Sequence, residues 1–233
     1  VTLKGILFDI DDTIFDYTGS ERQRVLRHLA DEGLLDRFGS PEQALERWRT
    51  IMEEEYARFL AGELAFEEQQ LRRVVRFLDE VGVVPDDPAA WFARYAAGRE
   101  TWWAAFPDAA PVLRELGERF VLGVVSNSAL DHQLRKLRAI GLVDHFGEAI
   151  VCSQEHGCAK PDPTIFLAGC AKLGLEPYET AYVGDKYDVD AIGARDAGLT
   201  AFWLDRNRSG TPPVDGIRVI HSLTELLDVT SRL

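Results

Sequence analysis

From residue 120 onward the chain alternates short apolar runs with amphipathic stretches, and this alternation restricts the possible folds more than any other feature. Residues 120–126, 148–152, 180–184, 200–204 and 217–220 are strand-sized runs. Helical segments lie between them: one through Leu134 and Leu137, one over about residues 163–173, and one reaching about Ala197. Strands separated by helices need crossover connections, which predicts a parallel sheet with helices on both faces. Residues 3–9 read as one more short buried strand, ending in carboxylates, and should join the same sheet.

Residues from about 18 to 104 have a different character, with almost no strand signal and repeated helical periodicity. Ser20 is positioned to cap a helix carrying Val25, Leu26 and Leu29. Ser40-Pro41-Glu42-Gln43 combines a cap residue, a proline at the first helical position and a Gln three residues after the cap. The helix it opens carries Leu45, Trp48, Met52, Tyr56, Phe59 and Leu60, and Glu53 to Glu55 read as its solvated face. Leu71, Val74, Val75 and Leu78 mark a third helix. After the break at residues 85–88, Trp91, Phe92, Tyr95 and Trp102 mark a fourth. Four such helices fit a small bundle, whose aromatic stripes read as core rather than as ligand contacts. The expected division is therefore a core of residues 1–16 and 105–233 and a helical insertion of residues 17–104. Residues 207–216 are the one linker-like stretch.

Charge narrows the partners. Asp and Glu total 39 against 26 Lys and Arg, a formal charge of −13. A nucleic acid backbone needs neutralising cations, so an acidic surface argues against such a partner. It leaves room for a small phosphorylated substrate at a locally positive site. No run approaches the ~20 apolar residues of a membrane helix, and the first apolar run leads straight into carboxylates rather than a cleavage site. The three cysteines form no disulfide framework. Together these predict a cytoplasmic protein with no membrane partner; oligomeric state is left open.

In open parallel sheets ligands bind beyond the carboxyl ends of the strands. The first strand ends in Asp9-Ile10-Asp11-Asp12-Thr13, the second in Ser126-Asn127-Ser128, and the fourth in Gly184-Asp185 with Asp188 and Asp190 nearby. Lys160-Pro161-Asp162 follows the third. Singly, each has a plainer reading as a turn or a helix cap. Those plainer readings would have to hold independently at four strand ends. Asp9 and Asp11, two apart on extended chain, would face one side. One carboxylate would attack phosphorus, and the other would protonate the leaving oxygen and then deprotonate water. Two anions facing a phosphate repel it, and a hard cation such as Mg²⁺, held by carboxylates including Asp185, would cancel that repulsion. Lys160 would add charge and Ser126 a hydroxyl donor to the transition state.

These motifs, Asp9-x-Asp11-x-Thr13, Ser126-Asn127, Lys160-Pro161 and Gly184-Asp185 followed by Asp190, resemble those of the haloacid dehalogenase-like hydrolase superfamily in kind, order and placement. Gly157-x-x-Lys160 fits as well. The resemblance implies a Rossmann-like core with a helical cap inserted after the first strand, and a phosphatase working through an aspartyl-phosphate on Asp9. It implies acid–base work by Asp11 and substrate contacts from Thr13, Ser126, Asn127 and Lys160. Mg²⁺ would be bound by Asp9, the Asp11 main-chain carbonyl and Asp185, with support from Asp190. Lys186 departs from the pattern, which commonly has a small hydroxyl residue there. Other reactions of the superfamily, 2-haloacid dehalogenation and phosphoryl-transferring mutase chemistry, are the nearest rivals. A phospho-accepting receiver module is more distant, having no use for Asp11 as an acid or for the long insertion. Substrate identity is not legible. The histidines at 28, 132, 145, 156 and 221 lack metal-ligand spacing, although His156 and Cys158 flank Gly157 close to Lys160.

Overall fold

The structure is a computed structural model that describes residues 2–210 and 215–230. Part of the expected linker, residues 211–214, and the Leu60 side chain lie outside the described residues. In chain order the elements are β1 (Gly5–Phe8), α1 (Tyr17–Asp31), α2 (Pro41–Leu60), α3 (Phe66–Asp79), α4 (Pro88–Ala96), α5 (Ala109–Gly117), β2 (Val121–Ser126) and α6 (Leu130–Ala139). There follow β3 (Ile150–Cys152), α7 (Ser153–His156), α8 (Pro163–Leu173), β4 (Thr180–Gly184), a π-helical turn at Tyr187–Ala191, α9 (Ile192–Asp196), β5 (Thr200–Leu204), β6 (Ile217–Ile220) and α10 (Thr224–Thr230). They fall into two compact units, Val1–Tyr17 with Trp103–Leu233, and Thr18–Trp102.

The first unit is built on a six-stranded sheet in the order β3-β2-β1-β4-β5-β6, and every pairing is parallel. This is the Rossmann order, in which the strand sequence reverses beside β1 and opens a crevice at the carboxyl ends of β1 and β4. Successive side chains point to opposite faces, so each strand feeds two cores. Ile6, Phe8, Val124, Ala181, Val183 and Phe202 pack with α5, α6 and α10 on one face. Leu7, Val125, Tyr182, Ala201 and Trp203 pack with α8 and α9 on the other. Burial on both faces explains why these strands read as continuous apolar runs without alternation.

The second unit has its own core, in which Val25 and Leu29 of α1, Trp48 and Ile51 of α2, Val74, Phe77 and Leu78 of α3, and Trp91 and Tyr95 of α4 come together. Trp48 meets Phe77 and Tyr95 edge-on, with ring centroids 5.1 and 4.8 Å apart. Ser40 caps α2 as its spacing predicts, accepting from the Gln43 main-chain nitrogen, and Asp87 caps α4. Other expectations need correction. Ser20 is no cap, because α1 has already begun at Tyr17 and Ser20 is buried within its first turns. Glu55 is not solvated: it is 1% exposed and receives Arg58, Arg72 and Arg76. The buried face of α2 runs through Ala44, Trp48, Ile51 and Glu55, which leaves Tyr56 outside, as Leu71 and Val75 are outside on α3. Trp102 is not on α4, since Ala97 is extended and Gly98 takes a left-handed φ of 67° before a separate 3-10 turn.

Candidate active site

β1 stops at Phe8, and the chain then enters a tight turn in which Asp12 has φ 58°. Asp9 and Asp11 are therefore not on extended chain, and their carboxylates are held by different parts of the sheet unit. Asp9, only 6% exposed, accepts from Lys160 Nζ at 2.7 Å. The same ammonium donates to Asp190 Oδ1 at 2.7 Å and to the Tyr182 hydroxyl at 2.8 Å. All three Lys160 donors are thus committed inside the protein. Tyr182 reaches this point from the middle of β4 and is anchored to the Val125 carbonyl at 2.9 Å. Asn127 spends its side chain on the Lys160 main chain, accepting from N at 2.7 Å and donating to O at 2.9 Å. Its role in this arrangement is to hold the Lys160 loop.

Asp190 is fully buried in the π-helical turn after β4. It also accepts from the Lys186 main-chain nitrogen at 2.9 Å, while the Lys186 side chain is exposed. Gly184 makes this approach possible: a Cβ there would stand 2.5 Å from Asp190 Oδ2. Asp185 follows, with its carbonyl held by Trp203 Nε1 at 2.9 Å. Its Oδ1 is buried without a hydrogen-bond partner.

Carboxylate oxygens of Asp9, Asp185 and Asp190 lie within 4.8 Å of one another. One ammonium pairs with two of these three acids, Asp9 and Asp190. Burial pushes the Asp9 carboxyl up to about 6, against the pull of the Lys160 charge. Burial, then the charges of Asp9 and Asp190, pushes Asp185 up to about 8. For Lys160, burial alone would lower the pKa, but Asp190 and Asp9 outweigh it and raise it. An all-oxygen donor set with excess negative charge and an unpartnered Asp185 oxygen fits a hard divalent cation.

Asp11 lies outside that group. Its Oδ1 accepts from Lys136 Nζ at 2.5 Å and its Oδ2 from Gln133 Nε2 at 3.0 Å. Gln133 Nε2 also donates to Ser126 Oγ at 2.9 Å. Gln133, Lys136 and Tyr182 were not singled out by motif. The available signal was a Gln and a Lys, three apart, on the same helix face as Leu137. Thr13 is buried with its hydroxyl unpartnered, and its carbonyl accepts from Arg206 at 2.8 Å. His156 contacts Thr164 Oγ1 at 3.1 Å, at the start of α8, and Cys158 is exposed.

The fold and the site together define a Rossmann-type α/β protein with an acidic centre at the carboxyl ends of β1 and β4. A family model of haloacid dehalogenase-like hydrolases matches residues 3–198, and the chain belongs to that family. It is 29% identical to a glyceraldehyde 3-phosphate phosphatase of Methanopyrus kandleri, over 88% of this chain and 85% of that one. It is 30% identical to a phosphoserine phosphatase of Thermus thermophilus, over 88% of this chain and 89% of the relative. The magnesium-bound HAD-hydrolase YfnB of Bacillus subtilis has the same fold, with a TM-score of 0.76 at 24% identity and 99% of both chains covered. Among the described residues no helix is long and apolar enough to cross a membrane.

Proposed function

We propose that this protein is a magnesium-dependent phosphatase that hydrolyses a small phosphorylated metabolite through an aspartyl-phosphate on Asp9. The observation that carries the reading is the division of labour between two carboxylates. Asp9 sits buried beside Lys160 and the acidic group, while Asp11 is held separately by donors of its own. The phosphatases named among its relatives support the same reaction class.

Asp9 attacks phosphorus as the bond to the leaving oxygen breaks, and Asp11, which enters this step transiently protonated, gives that oxygen its proton. Asp11, now ionised, takes a proton from water. The water oxygen attacks phosphorus, the Asp9–phosphorus bond breaks, and inorganic phosphate leaves. Because Ser126 Oγ accepts from Gln133, its own hydrogen is available to a phosphoryl oxygen, and the unpartnered Thr13 hydroxyl is a second candidate donor. Lys160 gives the buried Asp9 and Asp190 carboxyl groups a shared cationic partner. Mg²⁺, held by Asp9, Asp185 and the Asp11 carbonyl with Asp190 in support, would offset the charge of the phosphoryl group. The helical unit, residues 18–102, is read as a cap that selects the substrate.

The same fold occurs in a 2-haloacid dehalogenase of Pseudomonas syringae. A departing halide needs no proton, so a dehalogenase has no use for Asp11 as an acid. Asp11→Asn separates the two. Hydrolysis of an alkyl phosphate should fall by about 10²–10⁴-fold, the usual contribution of general acid–base catalysis. Nitrophenyl phosphate, with a better leaving group, should lose less in the first step. Activity should vanish with chelator and return with Mg²⁺. An Asp11→Asn enzyme that hydrolyses alkyl phosphate at the parent rate, or full activity in chelator, would overturn the reading.

A further inference from the structure

α6 carries two polar side chains that have no ordinary reason to be inside. Gln133 is 0% exposed and Lys136 2% exposed. Three residues apart, they share one face of the helix, the face that also buries Leu137. Lys and Gln are mostly surface residues, and a buried ammonium costs several kcal/mol unless it is paired. The partner of Lys136 is Asp11, whose side chain keeps 33% of its exposure. The ammonium also stands 4.9 Å from the centroid of the Phe15 ring and 5.4 Å from that of Tyr17. Gln133 takes the second Asp11 oxygen and spans to Ser126. Both oxygens of Asp11 are therefore claimed by one helix, distant in sequence from the turn that carries Asp11.

We propose that Gln133 and Lys136 are positioning residues that hold the Asp11 carboxylate, with Gln133 tying it to the Ser126 hydroxyl. The proposal rests on the reading of Asp11 as acid and base. A carboxylate with a single contact can still turn about its side-chain bonds, whereas donors on separate oxygens from one rigid helix fix its direction. The turn after β1 offers no such restraint to a side chain one-third exposed. Through Gln133, the group that moves protons and the hydroxyl that faces the phosphoryl oxygens share one frame. A purely structural role explains the pair poorly. Apolar residues of similar size packed beside Phe15 would be as stable or more so, because replacing a desolvated ion pair by hydrophobic groups is often neutral or stabilising.

The test uses Gln133→Leu and Lys136→Met, each assayed on glycerol phosphate and on nitrophenyl phosphate, alone and combined with Asp11→Asn. Loss of alignment at the reacting atoms costs up to roughly a hundredfold. On glycerol phosphate kcat should fall about 10–10²-fold with KM within about twofold, and the loss on nitrophenyl phosphate should be smaller. Lys136→Arg, which keeps the charge, should recover part of the rate. In the Asp11→Asn background Lys136→Met should cost nothing further, since residues acting as a unit are not additive, while Gln133→Leu should cost only the part it exerts through Ser126. Lys136→Met tests the hold on Asp11 without touching Ser126, Gln133→Leu tests that hold together with the tie to Ser126, and parent kcat in either variant removes that residue from the proposal. Parent kcat on glycerol phosphate beside a crippled Asp11→Asn would overturn the positioning role alone. So would equal losses on both esters that add in full to Asp11→Asn. An active Asp11→Asn enzyme would instead overturn the acid–base reading on which the proposal rests.

Discussion

Gly184 shows how a single residue sets the acidic centre. Its lack of a side chain lets the Asp190 carboxylate fold back against the end of β4, where it receives Lys160 and the Lys186 main chain. A methyl group there would overlap a buried, ion-paired side chain with little freedom to move. Gly184→Ala should lower stability by about 1–3 kcal/mol, as overpacking in a dense interior does. It should also lower phosphate-ester turnover by roughly a hundredfold by displacing Asp190 and with it Lys160. Thermal unfolding and steady-state kinetics on the same variant check both. Unchanged turnover would mean that Asp190 does not position Lys160. The Gly-Asp pair was legible as a motif, but its glycine has a reason only once Asp190 is seen to turn back on it.

At the scale of elements, α2 and α3 are joined by a charge that periodicity assigned to solvent. Glu55 of α2 receives Arg72 and Arg76 from α3, and Arg58 from its own helix. Burial alone would raise its pKa, but the hydrogen bonds from Arg76 and Arg72 outweigh it and hold the carboxyl below its ordinary value of 4.5. A depressed folded pKa stabilises fully above the unfolded value, and that contribution drains away as pH falls below it. Glu55→Gln should therefore cost roughly 1–3 kcal/mol at neutral pH, the range for hydrogen bonds to a charged group. The lower part of that range is expected, because the arginines are 36–45% exposed at their side chains. Denaturant titrations at pH 7 and pH 3 should show the gap to the parent closing in acid. A gap that stays constant would deny the carboxylate its role.

For the whole molecule, the separation into two units with separate cores predicts where a metal is felt. The three converging carboxylates belong to the sheet unit alone. A ligand that binds only the folded state adds about 2.7 kcal/mol at a hundred times its dissociation constant. Hydrogen exchange with and without Mg²⁺ should show new protection around residues 9–13 and 184–190, with the interiors of α2 and α3 unchanged. Protection that rises equally in α2 and α3 would contradict a site confined to the sheet unit. Substitutions in the helical unit should change which phosphate esters are preferred, while changes at Asp9 should remove activity on all of them.

The sequence by itself determined the parallel α/β class, because strands buried on both faces must be apolar throughout and crossovers must be helical. Residues 163–173 and 180–184 illustrate this, since their expected bounds coincide with α8 and β4. The sequence also determined the order of the motifs along the strands, since Asp9 follows β1, Ser126 closes β2, Lys160 comes after β3 and the short α7, and Asp185 follows β4. Tertiary structure alone decided how those groups divide. Lys160 pairs with Asp9 and Asp190, whereas Asp11 turns to α6, because the chain leaves β1 in a tight turn instead of continuing as strand. Gln133, Lys136 and Glu55 sit on faces where periodicity expects apolar packing or solvent. Periodicity records only where a side chain points along its own element. Whether a charge is buried there depends on a partner carboxylate or guanidinium that the fold brings in from a distant part of the chain.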